Sequence, residues 1–230
     1  DMTEIVVAAA CRYLDGTLAE TRIHLCGRLV ARLGGQRIED RLPGRQGRLA
    51  FAYLVTHRRR TVSRDELVDA LWHERPAAEA LSPLLSKLRR VVPLEGRGDI
   101  RVALPDGAWI DLEAATEALH RAESAVARAD WWAAWGPSRV AQHVAVRGFL
   151  PGENAEWIDA VRRRLDEIHV RSLELVGRAC LGIGGGELDT AERAARSLIA
   201  HAPYRESGHR LLMETLAVRG NAAEALLVYD

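Results

Sequence analysis

The stretch "SPLLSKLRRVV", Ser82 to Val92, decides the fold because it has the spacing of a helix with two distinct faces. At about 100° per residue, apolar side chains gather on one side and hydroxyls and cations gather on the other. The apolar side holds Leu81, Leu84, Leu85, Leu88, Val91 and Val92, and the polar side holds Ser82, Ser86, Lys87, Arg89 and Arg90. Taken alone, such a helix is most often simply solvated on its polar face.

The residues before this stretch predict two further helices. "LPGRQGRLAFAYLV" places apolar residues at helical spacing after a Pro-Gly breaker. In "SRDELVDALW", Ser63 and Glu66 match the S-x-x-E capping box, which starts a second helix that runs to about Trp72. Pro83 is compatible with the third helix if Ser82 is its N-cap and the proline lies in the first turn.

Short strands are predicted on both sides of the three helices. From Ile23 the sequence alternates, with Gly34 and Gly35 where a hairpin turn would fall. "GDIRVALPDGAWIDL" indicates two short strands around Pro105, Asp106 and Gly107. A sheet, three helices and a hairpin, in that order, are typical of a helix-turn-helix with a wing, whose third helix enters the major groove of DNA.

This order assigns candidate DNA contacts. Serine and arginine on the third helix can reach base edges and phosphates. The candidates on that helix are Ser82, Ser86, Lys87, Arg89 and Arg90; on the wing they are Arg97 and Arg101, and at the start of the first helix they are Arg45 and Arg48. The charge distribution agrees: residues 21–112 carry 17 Lys and Arg against 11 Asp and Glu, while residues 113–230 carry 14 against 17.

Composition points away from several other classes. Three scattered cysteines predict a reducing, cytoplasmic compartment, and neither an apolar run of about 18 residues nor a signal peptide is evident. The eight histidines lack metal-ligand spacing, and no nucleophile stands beside a base. We therefore expect no membrane span, no metal, no cofactor and no enzymatic activity, and we expect the chain to be a piece of a longer protein.

The second half predicts only helices, over Leu112–Ala129, Trp131–Arg147, Glu156–Leu181, Leu188–Ala200, Glu206–Arg219 and from Ala222 onward. Two of its helix pairs look alike. They are separated by roughly 32 to 36 positions, near the 34-residue period of tetratricopeptide helix pairs. "GIGGGE", Ile183 to Glu187, lies between helices without a preceding strand and is predicted to be a turn. Cys180 is predicted to be a buried apolar residue.

Aromatic and cationic residues in this half leave two interpretations open. Tryptophans at helical spacing are usually core residues. They could also line a groove, rimmed by arginines, that holds a peptide, a polymerase segment or an anionic small molecule such as a nucleotide. The candidate set is Trp131, Trp135, Trp157, Arg162, Arg163, Arg164 and Arg171.

Several of these stretches together resemble a known family. "LPGRQGRLAFAYLV", "RTVSRDELVDALWHERPAAEALSPLLSKLRRVV", "FLPGENAEWIDAVRRRLDEIHVRSLELVGRACL" and "APYRESGHRLLMETLAVRGNAAEALLVYD" resemble the actinobacterial antibiotic-regulatory activators over roughly residues 22–230. The resemblance implies an OmpR-type winged-helix domain over 22–112 and a tetratricopeptide-like bacterial transcriptional activation domain over 113–230. Residues 1–21 form an unassigned N-terminal extension.

The resemblance also implies partners. Members of the family bind direct repeats near promoters as dimers or paired monomers and recruit RNA polymerase. Pro83 and Leu84 stand where many relatives carry residues that could contact bases, which shifts the expected readout toward Ser86 to Arg90 and toward DNA shape.

The sequence therefore predicts a mostly α-helical, cytoplasmic transcriptional regulator that binds double-stranded promoter DNA. Two alternatives stay open. One is a regulator controlled by a small effector bound in the helical groove, and the other is an interaction adaptor that has lost DNA binding.

Overall fold

The computed structural model describes residues 21–72 and 78–228. Within them the chain forms two compact units. The N-terminal unit contains residues 21–111 together with Phe149–Arg162, and the helical unit contains Leu112–Gly148 together with residues 163–228. The fold class is confirmed, since small N-terminal sheets and helices are followed by a helical unit. Most of the N-terminal extension lies outside the described residues.

A four-stranded sheet opens the N-terminal unit. Its strands are β1 (Arg22–His24), β2 (Val30–Leu33), β3 (Gln36–Arg37) and β6 (Trp109–Ile110), in the order β3-β2-β1-β6. Gly34 and Gly35 join β2 to β3 with φ of +55° and +75°, which confirms the predicted hairpin turn. The sheet is mixed, because β1 pairs antiparallel with β2 but parallel with β6.

The predicted hairpin around Pro105–Gly107 is wrong. The two strands form, but they do not pair with each other: β5 (Arg101–Val102) pairs antiparallel with β4 (Leu94–Glu95), and β6 joins the first sheet. The turn of the hairpin lies at Gly96, whose φ of +82° suits glycine. Joining the first sheet leaves Ile110 only 3% exposed beside the fully buried Ile23. Burial of these side chains favours this pairing over a local one.

Along the chain, three helices lie between β3 and β4: α1 (Gly44–Thr56), α2 (Arg64–Leu71) and α3 (Ala78–Leu88). The Ser63 side chain caps α2, as predicted, by accepting a hydrogen bond of 3.1 Å from the Glu66 amide. In a full capping box the Glu66 carboxylate would accept from the Ser63 amide. Here it accepts instead from Tyr53 on α1 and from Arg60. Val62 bridges Ile100, so the chain before α2 is tied to the strand region of the hairpin.

The third helix starts earlier than the sequence predicts. It begins at Ala78 instead of using Ser82 as its cap, and Pro83 lies inside it. Proline lacks an amide hydrogen, so the carbonyl of Glu79 loses its helical partner. The helix tolerates this because Pro83 is exposed, while Leu81 in the preceding turn is 1% exposed and anchors that turn in the core.

The segment Phe149–Arg162 returns to the N-terminal unit after the chain has formed two helices elsewhere. Phe149 bridges Cys26, and the Leu150 amide donates to the Leu25 carbonyl over 3.0 Å. The fully buried carboxylate of Asp111 accepts from the amides of Leu25 and Cys26, each over 2.9 Å. The segment therefore completes the edge of the unit next to β1.

In the helical unit the helices begin and end within two residues of the predicted bounds. Its helices are α4 (Asp111–Ala127, whose first residue belongs to the N-terminal unit), α5 (Trp131–Ala145), α6 (Glu156–Ile183, which continues from Phe149–Arg162), α7 (Leu188–His201), α8 (Glu206–Val218) and α9 (Ala222–Leu227). The first residues of α7 and α9 are 34 positions apart, in agreement with the predicted repeat spacing.

Two smaller predictions in this unit are confirmed. Gly184 and Gly185 have φ of +73° and +57° and form the turn between α6 and α7. Cys180 is fully buried against Val176 and Ala191. Its thiol has its pKa raised to about 12, mainly by burial, so it stays protonated at neutral pH. No helix in the described ranges combines the length and apolarity needed to span a bilayer.

Candidate nucleic-acid interface

The polar face of α3 is built by burying the opposite face. Leu81, Leu85 and Leu88 are at most 1% exposed. On the other side, the side chains of Ser82, Ser86 and Lys87 are exposed, and so are those of Arg89 and Arg90. The expected helix to Val92 is too long, because α3 ends at Leu88 and Arg89 and Arg90 lie in the turn before Pro93, which cannot continue a helix. The amphipathic arrangement read from the sequence is present, and it presents three cations and two hydroxyls on one side of the unit.

Two arginines tie this face to the hairpin. The Arg64 guanidinium at the start of α2 donates to the Ser82 hydroxyl over 2.6 Å and to the Arg97 carbonyl over 3.5 Å. Arg89 donates to the Gly96 carbonyl over 2.5 Å. The start of α2, the exposed face of α3 and the turn between β4 and β5 are therefore held together by side-chain contacts.

The candidate wing residues lie on that turn and strand. Arg97 is exposed in the turn. Arg101 forms an ion pair with Glu95 across the hairpin, with a nitrogen-to-oxygen distance of 2.6 Å, and both side chains are about half exposed. An exposed pair of this kind contributes little stability. It leaves the Arg101 charge partly compensated by Glu95.

The two candidates on α1 face acidic surroundings. Arg45 pairs with Glu153 over 2.6 Å. Arg48 lines a pocket of about 360 Å³ together with Glu39, Asp40 and Glu153. The positive charge that the sequence places at the start of α1 is thus offset by carboxylates, one of which comes from Phe149–Arg162.

A hydrogen-bonded group connects α1 to α2 and consists of Tyr53, Arg60 and Glu66. The Tyr53 hydroxyl donates to the Glu66 carboxylate over 2.6 Å, and Arg60 donates to both oxygens of that carboxylate. The hydrogen bond from Arg60 lowers the pKa of Glu66 to about 2, against the opposing effect of burial. The pKa of Tyr53 is raised to about 12, mainly by burial and secondly by the hydrogen bond to the Glu66 carboxylate. At neutral pH, Arg60 and Glu66 therefore carry opposite charges, and Tyr53 stays protonated and neutral.

The side chains of Trp157 and Arg162 contact groups of the N-terminal unit and do not line the predicted groove. The Trp157 indole donates to the Ala70 carbonyl over 3.0 Å and meets the Tyr53 and Phe149 rings edge to face. Arg162 donates to the carbonyls of Phe149, Leu150 and Glu153 over 2.8 to 3.0 Å. Both side chains hold Phe149–Arg162 in the N-terminal unit. The N–H groups of Trp157 and Arg162 already donate to backbone carbonyls of this unit.

The remaining candidates for the groove belong to the helical unit. Trp135 packs against Val176, Cys180, Ala191 and Ala194 in its core, which agrees with the interpretation of these tryptophans as core residues. Trp131 lies against Gly182, where any side chain would collide with its ring. Arg171 pairs with Glu123, whereas Arg163 and Arg164 are exposed. The predicted groove set is divided between the two units, so neither unit contains all of it.

Sequence reasoning missed Arg64, which contacts both α3 and the turn of the hairpin. Its position, directly after the N-cap Ser63, was visible, but the contact depends on how α2 meets α3 in space. Across the described ranges no group of three or more His, Cys, Asp or Glu side chains is placed to hold a metal ion.

A unit of three helices and a hairpin is followed by a helical unit, and the second half of the chain matches a known family. The sequence model described as the bacterial transcriptional activator domain matches residues 110–230, more than half of the chain, and the chain belongs to this family. The matched region includes Phe149–Arg162, which packs in the N-terminal unit.

Named relatives agree with the actinobacterial resemblance. The chain is 32% identical over 192 residues to the regulatory protein AfsR of Streptomyces coelicolor, covering 80% of this chain and 19% of that protein. It is 29% identical over 223 residues to AfsR of Streptomyces griseus, covering 94% of this chain and 22% of that protein. The chain spans about a fifth of the length of these curated relatives.

A solved structure has the same fold. The structure of EmbR from Mycobacterium tuberculosis, in complex with a low affinity phosphopeptide, superposes with a TM-score of 0.78 at 21% identity. The match covers 91% of this chain and 58% of that one.

Proposed function

We propose that this chain is a transcriptional activator whose N-terminal unit is an OmpR-type winged helix that binds double-stranded promoter DNA. The exposed face of α3 lies in the major groove, and the β4–β5 hairpin acts as the wing on the neighbouring backbone. The observation that carries the proposal is the set of exposed cations and hydroxyls on α3 and in the turn directly after it, joined by Arg64 and Arg89 to the hairpin turn.

Lys87 and Arg90 are the main electrostatic contacts in this proposal. Both are exposed, and neither donates a side-chain hydrogen bond to another described residue. Arg89 has a mixed role, because one of its nitrogens holds the Gly96 carbonyl. Ser86 lies one position before Lys87 on the same face and can reach a base edge or a phosphate.

The helical unit is proposed to be tetratricopeptide-like and to engage RNA polymerase, and the chain is proposed to act in the cytoplasm as a homodimer on repeated sites. The 34-residue spacing of α7 and α9 supports the repeat assignment. Exposed Arg163 and Arg164 on α6 are available to a partner. The alternative of a small-molecule effector in a tryptophan-lined groove has less support, because Trp157 and Arg162 are engaged in the N-terminal unit.

The test is a titration of the 230-residue chain against promoter duplexes at several salt concentrations. Each phosphate neutralised contributes about −0.9 to the slope of log K against log salt. We expect a slope of about −2.7 or steeper, corresponding to three or more contacts. Retention that is independent of salt, or absent on every duplex, would favour the adaptor alternative. Addition of RNA polymerase to a run-off transcription assay then tests activation separately.

A further inference from the structure

Arg64 connects three parts of the proposed interface through one guanidinium. It is the first residue of α2 and is half-buried. One of its nitrogens donates to the Ser82 hydroxyl on α3 over 2.6 Å, and another donates to the Arg97 carbonyl in the hairpin turn over 3.5 Å. The planar guanidinium can meet two acceptors in fixed directions, which a lysine ammonium on a flexible stem does less well.

The contact with Arg64 changes what Ser82 can do. A serine hydroxyl has one proton to donate and two lone pairs that accept. Arg64 occupies one lone pair with a charge-assisted hydrogen bond, and its positive charge makes the other lone pair a poorer acceptor. In the described part of the chain, no residue accepts a side-chain hydrogen bond from Ser82. The proton of the hydroxyl is left for an external partner.

We propose that Arg64 is a positioning residue that fixes Ser82 as a hydrogen-bond donor toward DNA, so that Ser82 recognises an acceptor atom of the duplex. The inference rests on the proposed function. The acceptor is a purine N7, a guanine O6 or thymine O4 on a base edge, or a phosphate oxygen; the amino groups of adenine and cytosine are excluded because they donate. With an acceptor on a base edge, this role makes Ser82 a specificity residue despite the neighbouring Pro83; with a phosphate acceptor, Ser82 fixes the register of the protein on the duplex.

The experiment begins with binding sites selected by the 230-residue chain from a pool of randomised duplexes. Affinities for the selected duplex are then measured for Ser82→Ala, Arg64→Ala, the double variant and Arg64→Lys. Arg41→Ala is the matched control, since Arg41 is an exposed arginine of the same unit outside the interface. We expect Ser82→Ala to weaken binding about fivefold, the effect of one lost hydrogen bond.

Arg64→Ala should weaken binding at least as much as Ser82→Ala, and the double variant should be no weaker than Arg64→Ala alone. Arg64→Lys should fail to restore wild-type affinity. Additive single effects, or full restoration by lysine, would mean that Arg64 acts only as a charge and would overturn the inference. Normal affinity of Ser82→Ala on duplexes that the wild type binds would overturn it as well and leave the proposed function standing.

The chemistry of the acceptor is read from modified duplexes. Replacing a purine of the selected site by its 7-deaza analogue should weaken the wild type and leave Ser82→Ala unchanged if the acceptor is N7. A neutral methylphosphonate should give the same pattern if the acceptor is a phosphate oxygen. Guanine O6 is tested in the same way with 2-aminopurine, which lacks that oxygen, and thymine O4 with 5-methyl-2-pyrimidinone, which lacks O4. If none of these four modifications distinguishes the wild type from Ser82→Ala, Ser82 donates to none of these acceptors and the inference is wrong. Failure of the wild type to bind any selected duplex overturns the proposed function and this inference together.

Discussion

The exposed face of α3 and the segment Phe149–Arg162 both carry residues that are typical of binding surfaces, but their donors are used differently. Arg162 directs its guanidinium at three backbone carbonyls, and Trp157 directs its indole nitrogen at a fourth. Lys87 and Arg90 are exposed without such partners among the described residues. The difference shows that residue type alone does not identify a binding site. What separates the two regions is whether the protein itself already satisfies the donors.

Removal of Trp157 is expected to have the largest effect. Trp157→Ala deletes the ring contacts with Tyr53 and Phe149 and the hydrogen bond to Ala70, and we expect the N-terminal unit to lose about 3 kcal/mol of unfolding free energy. Urea unfolding followed by far-ultraviolet circular dichroism measures the loss. Trp132→Ala is the control, because Trp132 is 73% exposed and its removal should change stability by less than about 0.5 kcal/mol. Equal effects of the two variants would contradict the structural role of Trp157.

Arg162 and Arg163 provide a pair of neighbours with opposite expected behaviour. Arg162→Ala leaves three carbonyls without their donor and should cost about 2 kcal/mol of stability. Arg163 is exposed, so Arg163→Ala should cost less than about 0.5 kcal/mol. The same unfolding assay measures both. If Arg163→Ala were the more damaging of the two, the division between occupied and free donors would not hold.

For Lys87 on α3 and Arg90 in the turn after it, the expected effect is on affinity instead of stability. Removing both Lys87 and Arg90 should weaken promoter binding about tenfold and reduce the magnitude of the salt slope by about 1.8, since two phosphate contacts are lost. The unfolding midpoint should stay unchanged because both side chains are exposed. Binding anisotropy at several salt concentrations tests this. An unchanged salt slope would show that neither cation contacts phosphate.

The smallest expected effect concerns the group beneath Trp157. Glu66→Gln should lower stability by about 1 kcal/mol at pH 7, because the charge-assisted bonds from Arg60 and Tyr53 are weakened. The pKa of Glu66 is lowered to about 2 in the folded state, below its usual value near 4.5. Its contribution is therefore complete above about pH 4.5 and disappears as the pH falls through 2. Wild type and variant should converge in acid, and a gap that persists at pH 2 would contradict this assignment.

The parts of the fold that depend on local pattern could be predicted. The two faces of α3, the Ser63 cap and the turn at Gly34 and Gly35 depend on residues a few positions apart. The helices of the second half have bounds close to the predicted ones for the same reason. Pro83 led to a wrong start for α3, because burial of Leu81 outweighs the cost of an exposed proline inside the helix.

The parts that depend on distant contacts could not be predicted. The parallel pairing of β6 with β1 joins Arg22 to Trp109 across most of the N-terminal unit, so a local hairpin was the natural but wrong expectation. The roles of Arg64, Trp157 and Arg162 likewise depend on which elements meet in space. Arg45 was predicted to contact DNA, and nothing in its neighbourhood along the chain indicated the ion pair with Glu153.

The return of Phe149–Arg162 to the N-terminal unit has a consequence for synthesis on the ribosome. Domains usually begin to fold in the order in which they emerge, at about 5–20 residues per second. Here Asp111 emerges well before Phe149, Trp157 and Arg162, which complete the same unit, so the growing chain must extend through α4 and α5 before that unit can close. A translation product that stops between these points carries α3 on an incomplete unit.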